Sequence, residues 1–345
     1  MKYFFVHSLG RWITLILLLA LPVLAAENQE LERAKAHFRA GRIEEAINLL
    51  ETLISTSTLS TADRVEAWEF LAFCNVAKQN EARVQTSFAE ILKLDAAYEP
   101  RDSYLSHPAV MRSWLTARKQ VLGNYWQMTE AGIKTVAVLD FDNNSISDAD
   151  KAANLGKGLA DILITDLSAL TKLKVVERER IQFILEEIQR SEATVQGQPL
   201  VNPDFAVRVG KLLGAQSVLI GSFMKLEKKL RIDVRLVKTE TSEIIKTDFV
   251  EGSPDEVLNL AKKLALKVSE NLDVAVNKVE EENLERLRHK EIPLEAAMAY
   301  SEALNMLDQA RYQEAQAMLN KVLKLAPSFK MAKDKLSLLQ TFQKS

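Results

Sequence analysis

At Ile133 the hydrophobic period of this chain changes, and the change limits what each part of it can fold into. From about Leu31 to Leu122, apolar residues such as Ala34, Phe38, Ile43, Ala46, Ile47, Leu50 and Leu53 recur at helical spacing, with few glycines and no alternation. Beyond Ile133, Thr135 to Leu139 is a β-branched apolar strand that Asp140-Phe141-Asp142-Asn143-Asn144 brings to an end. A helix with Leu155, Leu159, Ile162, Leu163, Leu167 and Leu170 on one face follows, then a short strand from Leu173 to Val176. Ile181, Ile184, Leu185 and Ile188 mark the next amphipathic helix. Asn202-Pro203 and Gly214 signpost both ends of another. Three strands come next, Ser217 to Phe223, Leu230 to Val237 and Glu243 to Val250, and a helix from Asp255 to Leu272 closes the segment. A βαβα start followed by a meander predicts an α/β domain with one mixed sheet and helices packed on it.

The ends of the chain are helical. Gly41 separates two helices, Trp68 to Leu94 carries a second pair, and the Ser- and Thr-rich stretch from Ser55 to Thr61 reads as a loop between units. Ala46, five residues past Gly41, and Ala72 are small residues that let paired helices approach closely, which resembles the tetratricopeptide pattern. After Pro293 one more pair follows, with Ala303 and Leu307 in its first helix and Leu319 and Val322 in its second. Leu325-Ala326-Pro327 is its stop signal. A lone pair exposes an apolar face, so it is expected to pack on the middle domain, on the N-terminal array or on another chain.

Residues 1–26 are of another kind. Lys2 and Arg11 precede an apolar run from Trp12 to Leu21, and Pro22 leads into small residues at Ala25 and Ala26. A positive start, a short apolar stretch and a small-residue exit describe a secretory signal, and the run is too short to span a membrane. The domains then read as 1–26 signal, 27–125 helical repeats, 130–275 α/β domain, 276–293 charged linker and 294–345 helix pair. Removing the signal leaves 43 basic against 47 acidic residues, a balance of −4 that points away from nucleic acid. The single cysteine, Cys74, lies in an apolar helix, far from the cleavage site where a lipid-bearing cysteine would sit.

Five stretches of the middle segment, in this order and spacing, resemble the CsgG-like domain of the curli-secretion lipoprotein family. They are Val136 to Asp142, Gly158 to Leu163, Val175 to Arg180, Gly210 to Ala215 and Leu230 to Leu236. The resemblance implies the family's sheet domain and a role in a bacterial cell envelope. Similar folds serve partner binding in lipoprotein activators of penicillin-binding proteins and in the N-terminal domain of TolB. Pore formers of the family are lipoproteins that insert long hairpins into the outer membrane. Here the connection from Leu226 to Lys229 is short and basic. Arg231, Asp233 and Arg235 face away from the apolar Leu230, Ile232, Val234 and Leu236, which fits a sheet with one face in a core and one in water.

Chemistry-bearing residues are sparse. Asp140 and Asp142, at the end of the first strand, are where a Mg²⁺-dependent enzyme could hold its metal, but such a site needs further oxygen ligands. Strand-ending turn chemistry, with Asn143, is the simpler reading. Gly156-Lys157-Gly158 lacks the spacing of a phosphate loop and reads as close helix-to-sheet packing. Glu177-Arg178-Glu179-Arg180 reads as a solvated helix start or, by family analogy, an interface between copies. His37, His107 and His289 are scattered, with no metal-ligand spacing.

No catalytic, cofactor-binding or metal residue is assigned, and no cofactor is called for. The candidate interaction surface is Asp140, Asp142, Asn143, Glu177, Arg178 and Arg180. The function expected is that of a non-enzymatic periplasmic interaction protein in envelope assembly, secretion or cell-wall regulation. Its partners would be other envelope proteins or peptides, bound through repeat grooves and the CsgG-like domain, and copies of itself. No nucleic acid and no direct membrane insertion are expected. The alternatives are a component of an outer-membrane secretion channel and, more distantly, a metal-dependent enzyme using Asp140 and Asp142. Export predicts that N-terminal sequencing of the periplasmic protein begins at Ala26 or Glu27; Met1 on a membrane-bound species would overturn it.

Overall fold

The structure, a computed structural model, describes residues 29–55, 59–125, 133–145, 155–191, 199–274, 276–280, 282 and 292–343. The expected signal, His289 and most of the charged stretch from Lys278 to Lys290 lie outside the described residues. The chain forms two compact units. Of the described residues, those in 29–100, 116–123 and 340–343 form one, and those in 101–115 and 124–339 the other.

In the first unit, α1 (residues 29–39), α2 (Ile43–Ser55), α3 (Thr61–Ala77) and α4 (Glu81–Leu94) form two helical hairpins. Each hairpin turns on one left-handed residue, Gly41 (φ 75°) and Gln79 (φ 55°). The next amide then closes the preceding helix: Arg42 N–H donates to His37 C=O and Asn80 N–H to Asn75 C=O, both at 2.9 Å. Ser60 and Asn80 accept amides of the following first turns and start α3 and α4. Ala34, Ala46, Ala67 and Ala72 are buried where helices cross, around an aromatic cluster of Phe38, Phe70 and Phe73. Phe342, in the terminal segment of the same unit, closes on Phe38 and Phe73. Cys74 is buried among them, and burial pushes its thiol up to about 12.

The second unit holds a mixed sheet. Residues 101–115 carry α5 (Asp102–Leu105) and the first part of α6 (Pro108–Leu122). The sheet follows, with β1 (Lys134–Val138), β2 (Asp142–Asn143), β3 (Leu173–Val175), β4 (Ser217–Leu226), β5 (Lys229–Lys238) and β6 (Ile244–Gly252). The strand order is β3-β1-β4-β5-β6, with β2 also pairing with β4. Strands β1, β2 and β3 join in parallel, and β4, β5 and β6 form an antiparallel meander. The mixed α/β architecture predicted by the patterning is therefore present. Parallel β1 is buried from Thr135 to Leu139, whereas β5 alternates, with Leu230, Ile232, Val234 and Leu236 buried and Arg235 exposed. The β4–β5 connection is a two-residue turn in which Glu227 takes a positive φ of 46°.

Helices α7 (Leu155–Ser168), α8 (Arg178–Ser191), α9 (Pro203–Leu213) and α10 (Val257–Asn271) pack on this sheet and on one another. A short 3₁₀ turn, Pro254–Glu256, precedes α10 and carries a capping box from Ser253 and Glu256, so the α-helix starts two residues later than its sequence pattern predicts. The C-terminal helices belong to this unit as well. They are α11 (Leu294–Asp308), α12 (Tyr312–Leu325) and α13 (Lys330–Gln343), of which the last few residues lie in the first unit. Of the three packing sites open to this hairpin, it uses the middle domain, with α11 against α7. A third helix, α13, stands beyond the stop at Pro327, where the sequence pattern predicts only a pair. Phe329 anchors its start against Tyr300 with ring centroids 4.8 Å apart.

The α11–α12 turn repeats the geometry of the first unit. Ala310 takes φ 58°, and Arg311 N–H donates to Met306 C=O at 2.9 Å. Ala310 is exposed, so its methyl adds left-handed strain without packing in return. Ala310→Gly is expected to raise the unfolding free energy by roughly 0.5–1 kcal/mol, measured by urea denaturation. A loss of stability would show that the left-handed turn is not formed.

Candidate functional site

The first turn of α8 follows directly on β3, and three of its four charged residues turn inward. Arg178, Glu179 and Arg180 are 2%, 6% and 1% exposed. This corrects the solvated helix start expected of the Glu177–Arg180 run. A charge can be buried at this junction because helices α7, α11 and α13 bring the opposite charges to it.

Asp308, the last residue of α11, is the hub. Arg178 grips it in a fork, Nη1 donating to Oδ1 at 2.9 Å and Nη2 to Oδ2 at 2.6 Å. Lys157 of α7 donates to Asp308 Oδ2 at 2.8 Å and lies 3.4 Å from Asp140 Oδ2. Gln182 Nε2 donates to that same Asp140 oxygen at 2.9 Å. Burial alone would push the Asp308 carboxyl up, but Arg178 and Lys157 outweigh it and hold it below the usual carboxylate range. Burial opposes the Arg178 charge too, yet Asp308, Asp140 and Glu179 raise its pKa well above the ordinary value.

Beside this hub, Glu179 accepts a short hydrogen bond from Lys335 of α13. Burial disfavours the Lys335 ammonium, and Glu179 and Asp161 outweigh it, so its pKa is raised. Tyr300 of α11 donates its hydroxyl to Asp161 of α7 at 2.6 Å, and burial and that carboxylate raise its pKa well above the ordinary value. Arg180 lies 3.5 Å from Glu177 and stacks on Trp114, its guanidinium carbon 5.1 Å from the ring centroid. On the outer side of α8, Glu186 accepts from Arg112 at 2.9 Å.

Two glycines of α7 make the close approach possible. A Cβ on Gly158 would sit 2.1 Å from Ser301 Oγ, and one on Gly156 would sit 1.9 Å from the Phe141 carbonyl oxygen. Gly156 thus meets the strand end, as predicted. Gly158 instead meets α11, which no pattern in the sequence brings to it.

Four of the six proposed surface residues, Asp140, Glu177, Arg178 and Arg180, gather around this first turn. The other two do not join them. Asp142 Oδ2 accepts the Val201 amide at 3.0 Å, and Asn143 Oδ1 accepts the Ser145 amide at 2.9 Å, both shaping the end of β2. Among the described residues, no group of three or more His, Cys, Asp or Glu is placed to hold a metal. Sequence reasoning missed Asp161, Glu179 as a buried ligand, Tyr300, Asp308 and Lys335. Lys157 was visible only as part of a failed phosphate loop.

A family model, Curli production assembly/transport component CsgG, matches residues 125–232. The match runs from the approach to β1 into β5; β6, α10 and the C-terminal helices lie beyond it. Solved structures similar to this chain include TolB from Acinetobacter baumannii, at 9% identity and a TM-score of 0.28, covering 41% of this chain and 28% of that one. The LpoB C-terminal domain from Salmonella enterica is 18% identical with a TM-score of 0.27, over 41% of this chain and 95% of that one. The PelC dodecamer from Paraburkholderia phytofirmans is 15% identical with a TM-score of 0.24, over 44% of this chain and 94% of that one. No curated protein matches the sequence.

Removing one partner of a buried ion pair leaves the other charge uncompensated. Asp308→Ala is therefore expected to destabilise the second unit by about 3–5 kcal/mol in urea unfolding, and adding Arg178→Met to restore part of that loss. A loss below about 1 kcal/mol would mean that water reaches the cluster.

Proposed function

We propose that this is a non-enzymatic protein of the periplasm, in an envelope bounded by an outer membrane, which works by binding other envelope proteins or peptides. The observation that carries the reading is the CsgG family match over residues 125–232, which fits a cell-envelope role. Envelope assembly, secretion or cell-wall regulation is the task it supports. The charged residues that a catalytic reading would need are engaged otherwise: Asp140 with Lys157 and Gln182, Asp142 with a backbone amide.

In this reading the helical hairpins are tetratricopeptide-like repeats. Support comes from the turn geometry shared by Gly41, Gln79 and Ala310, and from the buried Ala46, Val84 and Ala315, each five residues beyond. Stacked hairpins offer grooves for extended peptides or partner helices. The CsgG-like domain supplies a second docking surface around Asp142 and Asn143, while Arg178 holds α11 through Asp308 and Arg180 stacks on Trp114.

The competing reading is a secretion-channel component, suggested by the description of the matching family. Two features speak against a lipid-facing hairpin: the two-residue Glu227-Lys228 turn, and Arg231 and Arg235 on the outward side of β5. On such a strand each arginine at mid-bilayer would cost ~2–4 kcal/mol. Osmotic-shock fractionation and planar-bilayer recording test both readings. The mature protein is expected in the periplasmic fraction and silent in the bilayer. Cytoplasmic retention would overturn the envelope role, and reproducible single-channel steps would overturn partner binding in favour of a pore.

A further inference from the structure

Exposed large apolar residues concentrate on β6. Ile244, Ile245 and Phe249 are 46%, 45% and 47% exposed. This strand ends the sheet, and among the described residues no other strand lies beyond it. Residues 244–247 are exposed in an unbroken run, so side chains on both faces of that half of the strand meet solvent. Its defences are few. One is Lys246. The other is a bulge at Ile245, where the register passes from Leu236↔Lys246 to Val237↔Ile244. An edge this long and apolar is a template for another strand.

The sequence of the strand selects the occupant. Two antiparallel copies of β6 related by a two-fold axis at Thr247 place Lys246 opposite Asp248 and bring the bulged Ile245 beside Phe249, each pair occurring twice. The central Lys246 and Asp248 each meet the opposite charge, and the exposed Ile245 and Phe249 meet each other. Moving the axis one residue, to Asp248, sets Lys246 against Val250 and loses both ion pairs. Lys267 of α10 donates to Asp248 Oδ1, which holds this carboxylate at the strand with its charge in place. Arg231, 4.1 Å from the Phe249 ring centroid, and Lys267, 5.9 Å from it, flank a ring that stays 47% exposed. An unrelated peptide would have to supply this pattern by chance; a second copy carries it by construction.

We infer that β6 is a homodimer edge: two copies of this chain join antiparallel across Thr247, fusing their sheets. The inference rests on β6 alone and stands or falls separately from the envelope role.

Sedimentation velocity of the mature protein, with Thr247→Cys and Glu251→Cys variants under mild oxidation, tests it. Cys74 is buried and does not compete. In the predicted register the two copies of residue 247 face each other, whereas the two copies of residue 251 are separated by roughly 27 Å along the strands. The wild type is expected to sediment as a dimer. Thr247→Cys is expected to cross-link at least about tenfold faster than Glu251→Cys, because pairing raises the local thiol concentration. Lys246→Glu, which sets like charges opposite each other twice, is expected to weaken the dimer about tenfold. A wild type that stays monomeric at every concentration overturns the inference and leaves the edge to an extended segment of another protein. A dimer in which Glu251→Cys cross-links as fast as Thr247→Cys overturns it equally, because another surface or register then holds the copies together.

Discussion

Asp308 keeps its charge inside protein because Arg178 and Lys157 reach it from two different helices. Taking an ion out of water costs several kcal/mol even after relaxation, and close pairing returns that energy only when the geometry is good. The cluster is therefore a condition on position more than a source of net stability. The end of α11 has to arrive where the first turn of α8 and the first turn of α7 already stand. The Gly158–Ser301 contact sets how near α11 comes, and Tyr300 fixes its rotation through Asp161. Sheet, crossover helix and C-terminal helices are thus ordered by a few polar contacts among much larger apolar surfaces.

The family match stops inside β5, while the polar cluster joins matched and unmatched parts of the second unit. Arg178, Lys157 and Asp140 come from the matched stretch; Asp308, Tyr300 and Lys335 come from beyond it. Charged residues near a strand end thereby tie the stretch that matches the CsgG model to the C-terminal helices beyond it. The extension covers one region of the domain, while β6, at the other end of the sheet, keeps its edge in solvent.

Local chemistry made much of the fold legible. Thr135 to Leu139, the Asn202-Pro203 cap and Gly214 each declare their element within a few residues, and β5 announces its two faces by alternation. What could not be read depended on partners distant in sequence. Arg178 and Glu179 look like any charged helix start until Asp308 and Lys335 arrive from more than a hundred residues away. Gln79 and Ala310 were equally silent, because neither is a residue type that favours a left-handed turn; only Gly41 of the three signalled it. The third C-terminal helix escaped because Pro327 reads as a stop, and here it is a corner, with α13 beginning three residues later.

Cys74 gives the chain a redox property. In the oxidising compartment that the proposed function implies, an accessible thiol is open to mixed disulfides and oxygen damage, and only the thiolate reacts quickly. Burial removes Cys74 from both routes, shielding the sulfur and leaving almost none of it as thiolate near neutral pH. The protection belongs to the folded helices alone. A chain that lingers unfolded after export displays a single thiol with no partner in its own sequence, so oxidation would trap it with another molecule. Closure of the α3 hairpin is thus a chemical safeguard as well as a structural step.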